Sequence, residues 1–212
     1  MHKILIVAAL SVLFACIIPI TANADVNIGI SADQDGIKEF HLSIGAYYGV
    51  KEREIERVGA RSLPDDEMTV VFFISNRAAV SPLEIADLRL KGLSWMDITY
   101  KYWLTSEVYY VRFASDPGPP YGKAWGNFKK RPKKKWHEIK LADADIVNLV
   151  NLKFLAEKYN CSPEKIVRMK KQGKSFANMN GEFKKAKAQK KQKKAKVQKT
   201  AKSKPKGKRG RK

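Results

Sequence analysis

Two groupings of residues in this chain have the types and spacing to do chemistry. The denser is Lys129-Lys130-Arg131-Pro132-Lys133-Lys134-Lys135, six cations in seven positions, with Tyr121, Trp125, Phe128 and Trp136 around it. Cations at this density neutralise phosphates or sulfates, and rings among them can stack on bases or sugars. Without a counter-charge such a run repels itself. Lys129, Lys130, Arg131, Lys133, Lys134, Lys135, Tyr121, Trp125 and Trp136 are therefore the candidate polyanion-binding residues. The plainer alternative is that the rings pin an irregular loop to the fold while the lysines are merely solvated. The second grouping is the C-terminal stretch 184–212. It holds 14 Lys and 2 Arg, and no acid follows Glu182. Val197 is its one large apolar residue, so it cannot bury enough surface to offset its ordering entropy and is expected to be disordered. Neutralising its charges on a polyanion would release condensed counterions.

Groupings that could support catalysis are sparse. Once a leader ending at Ala24 is removed, His41 and His137 are the two histidines left, and they do not form a metal-spaced pair. No Gly-x-Ser-x-Gly elbow occurs. Gly173-Lys174-Ser175 resembles the end of a phosphate loop, but Arg168 stands where that loop needs glycine. Asp65-Asp66-Glu67 fits the first turn of a helix, where acids suit the dipole. Glu52, Glu54 and Glu56 alternate with cations on what reads as a solvated helix face. No catalytic residue, metal, cofactor or small-molecule substrate is expected.

The whole chain has 212 residues, with 42 Lys and Arg against 21 Asp and Glu, for a net charge of +21. Residues 25–183 carry 25 basic and 21 acidic groups, so most of the excess lies in the tail. The length suits one domain with tails, and 44% hydrophobic content is enough for a core. Residues 4–20 carry no charge, Lys3 precedes them, and Ala22-Asn23-Ala24 follows. That is the pattern of a secretory signal cleaved after Ala24. Cleavage removes Cys16 and leaves Cys161 as the single thiol, a small filler residue without a disulfide partner. The expected location is periplasmic or secreted, with membrane contact only through the signal or an anionic surface.

The elements that position these groups show an internal repeat. Displaced by 81 residues, 62–98 aligns with 143–179 without a gap. Ser81-Pro82 meets Ser162-Pro163, Gly92 meets Gly173, Ser94 meets Ser175, and Trp95 meets Phe176. Ser62 and Asp143 read as N-caps, as does Ser81 with Glu84 completing a capping box. Pro82 suits a first helical turn. Gly92 and Gly173 suit left-handed helix ends. Ser94 and Asp97 form a further possible box. Each unit reads as helix, turn, helix, glycine stop, helix. Residues 26–30 could form a short strand, 51–58 a charged helix, and 108–113 could pair with 136–141. Proline and glycine mark 117–135 as a loop. Trp95 and Phe176 are expected to pack beside their turns.

The spacing Ile85-x-x-Leu88-x-x-x-Gly92-x-Ser94-x-x-x-Ile98 resembles a helix-turn-helix unit of the small trihelical type. The resemblance implies DNA reading by a helix at 106–113, yet that segment is poor in Asn and Gln and has the single Arg112. A fuller pattern resembles a group of uncharacterised exported bacterial proteins. It comprises Pro64-Asp65-Asp66-Glu67, the Ser81-Pro82 to Ser94-Trp95 motif, Pro119-Pro120-Tyr121-Gly122 and Asp143-Ala144-Asp145-Ile146-Val147-Asn148-Leu149. That resemblance spans most of 45–180 and implies a helical, exported, non-enzymatic module. The tail resembles those of linker-histone-like proteins. The combined expectation is a mainly α protein: a signal at 1–24, a helical domain at 25–183 with duplicated modules at 62–98 and 143–179, an irregular or short-strand insertion between them, and a disordered tail from 184. Its expected partner is a polyanion, either nucleic acid or an anionic envelope polymer. A helix-turn-helix nucleoid protein and a protein-interaction module are the alternatives.

Overall fold

A computed structural model describes residues 34–202, with side chains as far as Lys194. The signal at 1–24 and the strand expected at 26–30 lie outside the described residues. The described chain is mainly helical and contains no strand. Its α-helices are α1 (Gln34–Tyr48), α2 (Glu52–Gly59), α3 (Asp65–Ala78), α4 (Pro82–Leu90), α5 (Trp95–Lys101), α6 (Gly122–Lys130), α7 (Asp143–Tyr159), α8 (Pro163–Lys171) and α9 (Phe176–Lys202). Two 3-10 turns, Ser106–Tyr109 and Lys133–Glu138, complete it.

The core forms around α3 and α7. Met68 to Ser75 of α3 are buried without interruption, so this helix is apolar all round and central. α7 buries Ile146, Leu149, Val150, Leu152, Phe154 and Leu155 against it, with partly exposed residues between them. α1 closes one side with Phe40 and Ile44, both fully buried. Complete burial of side chains of this size stabilises the fold by about 1.5–3 kcal/mol each. Polar groups between the central helices are paired. Thr69 donates to Asn151 Oδ1 at 2.7 Å, and Asn151 Nδ2 donates to the Asp66 and Val147 carbonyls at 2.8 and 2.9 Å.

The helix boundaries follow local signals. α4 and α8 both open on proline after a serine, and α5 opens with the capping box of Ser94 and Asp97. Gly92 and Gly173 are left-handed, with φ of 90° and 79°. α4 and α8 begin and end 81 positions apart, α5 and α9 begin 81 apart, and left-handed Ala79 and Asn160 are likewise separated. Trp95 and Phe176 are both fully buried.

Other expectations are corrected. Ser62 is a left-handed residue ahead of α3, whose N-cap is Pro64. Asp143 is the first residue of α7; its carboxylate accepts the Trp95 N–H at 2.8 Å and so caps α5 across the molecule. Ser81 makes no side-chain cap, the Glu84 N–H going to the Ser81 carbonyl at 3.1 Å, and the Glu84 carboxylate accepts from the Tyr102 hydroxyl at 2.6 Å instead of closing a box. Residues 108–113 and 136–141 do not pair as strands; each segment begins within a 3-10 turn. Inside the expected loop 117–135 lies α6. Gly122 and Gly126 suggest a break, but burial of Ala124 and Phe128 holds the helix. The segment 106–113 presents no groove-reading helix: Ser106 and Tyr109 are buried.

α9 carries helix from the core through 184–202, and residues 203–212 lie outside the described residues. Lys, Ala and Gln are strong helix formers, so propensity extends the helix where there is no core to pack against. Lysines spaced three and four apart oppose it by mutual repulsion.

Candidate polyanion-binding surface

The cationic run spans the end of α6, the bend at Pro132 and the 3-10 turn after it. Apolar residues clamp it on both sides. Tyr121, Ala124 and Phe128 enter the core before it, and Ile139 and Leu141 after it. Trp136 closes the bend. Its indole N–H lies 3.1 Å from both the Phe128 and Arg131 carbonyls, and its ring centre sits 4.4 Å from Tyr110 and 5.2 Å from Phe128. Ser106 donates to the Trp136 carbonyl at 2.5 Å, tying the run to the turn after α5.

Held this way, Lys129, Lys130, Arg131, Lys133, Lys134 and Lys135 are all exposed. None makes an ion pair or hydrogen bond with an acid among the described residues. Many acids of the domain are engaged elsewhere. Glu67 and Asp143 hold Arg89 at 2.6–2.9 Å, Asp87 holds Arg61 at 2.8 Å, and Glu182 holds Lys174 at 2.6 Å. Glu157 accepts from Tyr47, and Glu39 pairs with Lys184. The band is thus a dense run of cations without an ion pair among the described residues.

The aromatic half of the candidate set has a different place. Tyr121 is buried, its hydroxyl is without a hydrogen-bond partner, and desolvation raises that hydroxyl above the ordinary phenol range. Trp136 is covered by Tyr110 and Phe128, and Trp125 packs partly against the core. These rings pin the band. The most exposed ring lies outside the candidate set: Trp103 is 94% exposed. Its apolar neighbours Tyr102 and Leu104 hide it in a hydropathy pattern. The usable signal was its position just past the end of a short capped helix.

Beyond the band, α9 carries exposed lysines at 184, 185, 187, 190, 191, 193 and 194. Burial, then the charges of Lys187 and Lys184, lower the pKa of Lys158 beneath this helix.

A separate cleft of about 310 Å³ is lined by Tyr47, Tyr48, Phe73, Asn76, Arg77, Lys153 and Glu157. Arg77 lies over the Phe73 ring at 4.6 Å, and Lys153 donates to the Val108 carbonyl at 2.9 Å. Burial lowers the pKa of Lys153. Among the described residues no group of three His, Cys, Asp or Glu converges as a metal site, and no helix is long and apolar enough to cross a membrane. Cys161 is half-buried, and burial raises its pKa, which disfavours the thiolate. Comparison of the chain with known protein families, curated proteins and solved structures found no match.

Proposed function

We propose that this is an exported, non-enzymatic protein that binds polyanions, with the 129–135 band on the folded domain and the lysine-rich end of α9 as its two contact regions. One observation carries the reading: six cations are held exposed across a helix end, a bend and a 3-10 turn, with no acidic partner among the described residues. Repulsion among them is relieved when a polyanion supplies the missing charge. The ligand class is an anionic envelope polymer or extracellular nucleic acid. Export to the periplasm or medium rests on the apolar segment 4–20 and Ala22-Asn23-Ala24. We further propose that α3–α5 and α7–α9 derive from one duplicated module, a reading supported by helix boundaries and left-handed residues that recur 81 positions apart.

The test is retention of the full chain on immobilised heparin as a function of salt. Each phosphate or sulfate contact adds to the slope of log affinity against log salt. Replacing the six cations of the band by Gln should lower that slope and the eluting salt concentration, and removing 184–212 should lower them again. Retention unaffected by both changes would overturn the reading.

A further inference from the structure

Among the described residues, six helix ends close in the same way. At each, a left-handed residue is followed by a backbone N–H that reaches a carbonyl five residues back. The left-handed residues are Gly49, Ala79, Gly92, Trp103, Asn160 and Gly173. The corresponding bonds are Val50 to Gly45, Val80 to Ser75, Leu93 to Leu88, Leu104 to Thr99, Cys161 to Ala156 and Lys174 to Met169, at 2.9–3.3 Å. Glycine is the usual residue at such a site because it has no Cβ to crowd the backbone, and asparagine is tolerated. Trp103, with φ of 58°, is the bulkiest of the six. At 94% exposure its ring gains almost nothing from burial. Local strain and solvation both disfavour it, so the fold does not account for the tryptophan.

We propose that Trp103 is an insertion anchor that seats the cationic band on an anionic lipid bilayer. The inference rests on the polyanion reading above and goes beyond it, adding an anionic lipid surface to the polymers named there. A ring used as a stacking platform lies on the protein with one face covered. At 94% exposure both faces of Trp103 are bare, which is the geometry of a side chain that enters its partner. Tyr100, one turn earlier, is 39% exposed, and Lys101 between them is also exposed. Tryptophan and tyrosine favour the headgroup depth of a bilayer, and basic residues beside them are drawn to anionic lipid. The band lies close by. Ser106 is bonded to Trp136, next to Lys135, and at most about 11 Å of chain separates Ser106 from Trp103.

The experiment uses the full chain and its Trp103→Gly variant, which share one N terminus, so segment 4–20 contributes equally to both. Vesicles of phosphatidylcholine alone, or with an equal part of phosphatidylglycerol, are sedimented with each protein. Brominated phosphatidylcholine then reports ring depth by quenching, and Trp103 is read as wild type minus variant. Trp103→Gly should keep its helicity by circular dichroism and its heparin retention. Its binding to the phosphatidylglycerol vesicles should weaken about tenfold, and the quenched component should vanish. Equal vesicle binding by both proteins, or a Trp103 signal that bromolipid leaves unquenched, overturns the anchor while heparin retention keeps the polyanion reading. Trp103 quenched by single-stranded DNA and not by lipid also overturns it, in favour of insertion between bases. Loss of both vesicle and heparin binding by wild type overturns the two readings together.

Discussion

The triplets α3–α5 and α7–α9 share their start signals but not their endings. In each, a long buried helix ends on a left-handed residue, and a serine-proline pair opens the next helix. A left-handed glycine then turns the chain into a third helix whose first residue is a buried aromatic. From there they diverge. α5 runs seven residues and stops at Trp103; α9 runs 27 residues, from Phe176 to Lys202. The cation before the aromatic differs too. Arg89 is held by Glu67 and Asp143 and lies 4.9 Å from the Trp95 ring centre. Lys170, 81 positions on, lies 4.1 Å from the Phe176 ring centre. Local signals can thus start two similar helices, while the residues after each start fit one half to brace the core and the other to extend charge into solvent.

The largest expected break in that comparison is at Arg89. Its guanidinium joins α4 to α3 and α7, and the acids it holds are only partly exposed. Arg89→Ala leaves those acids without their cation and should destabilise by about 3 kcal/mol, read from urea midpoints. Lys170→Ala should cost about 0.5–1 kcal/mol, since it removes one cation–ring contact near the surface. Equal losses at the two positions would show that the acids do not set the difference. Asn151→Ala comes next. It strips two hydrogen bonds from the α3–α7 seam and one within α7, and should cost about 2 kcal/mol by the same measurement.

Opposite signs are expected at two helix ends. Gly92→Ala places a Cβ on a left-handed residue and should lose about 1 kcal/mol. Trp103→Gly removes one from the same conformation and should leave stability unchanged or raise it by about 0.5 kcal/mol. A clear loss at Trp103→Gly would mean that its ring packs in solution. The smallest effect concerns pH. Burial holds His41 below its ordinary value of 6.5, although Asp65 at 2.9 Å opposes the shift. The folded state therefore binds the proton less readily than the unfolded chain. Stability from this group is present above pH 6.5 and is lost as pH falls from there through the depressed folded value. His41→Gln should flatten that part of the stability profile; an unchanged profile would remove His41 as its cause. The position 81 residues beyond Asp65 is Ile146, so this titration has no counterpart in α7.

Much of the scaffold was legible because its signals are local. The caps at Ser94 and Asp97, the prolines at 82 and 163, and glycines 92 and 173 act within a turn of themselves, and all occupy the places read for them. The errors came where a distant partner competes for a side chain. Asp143 reads as the cap of its own helix but caps α5, and Glu84 reads as half of a box but accepts from Tyr102. α6 was hidden because its glycines signal a break, while the burial that keeps it helical comes from the rest of the fold. Among the candidate binding residues the cations are exposed, since charge keeps them in water whatever the fold. The rings beside them are covered to different degrees, which the sequence leaves open, since an aromatic side chain suits core and ligand alike until its neighbours are known.

By itself, then, the sequence determined the helical character, the turn positions and the location of the positive charge, because each arises from backbone preference or solvation over a few residues. The tertiary structure decided which rings are covered, which acids are already paired, and that Trp103 stands bare in solvent. Those depend on contacts between segments far apart in the chain, such as Trp95 with Asp143 and Ser106 with Trp136, and they exist only once the helices have packed.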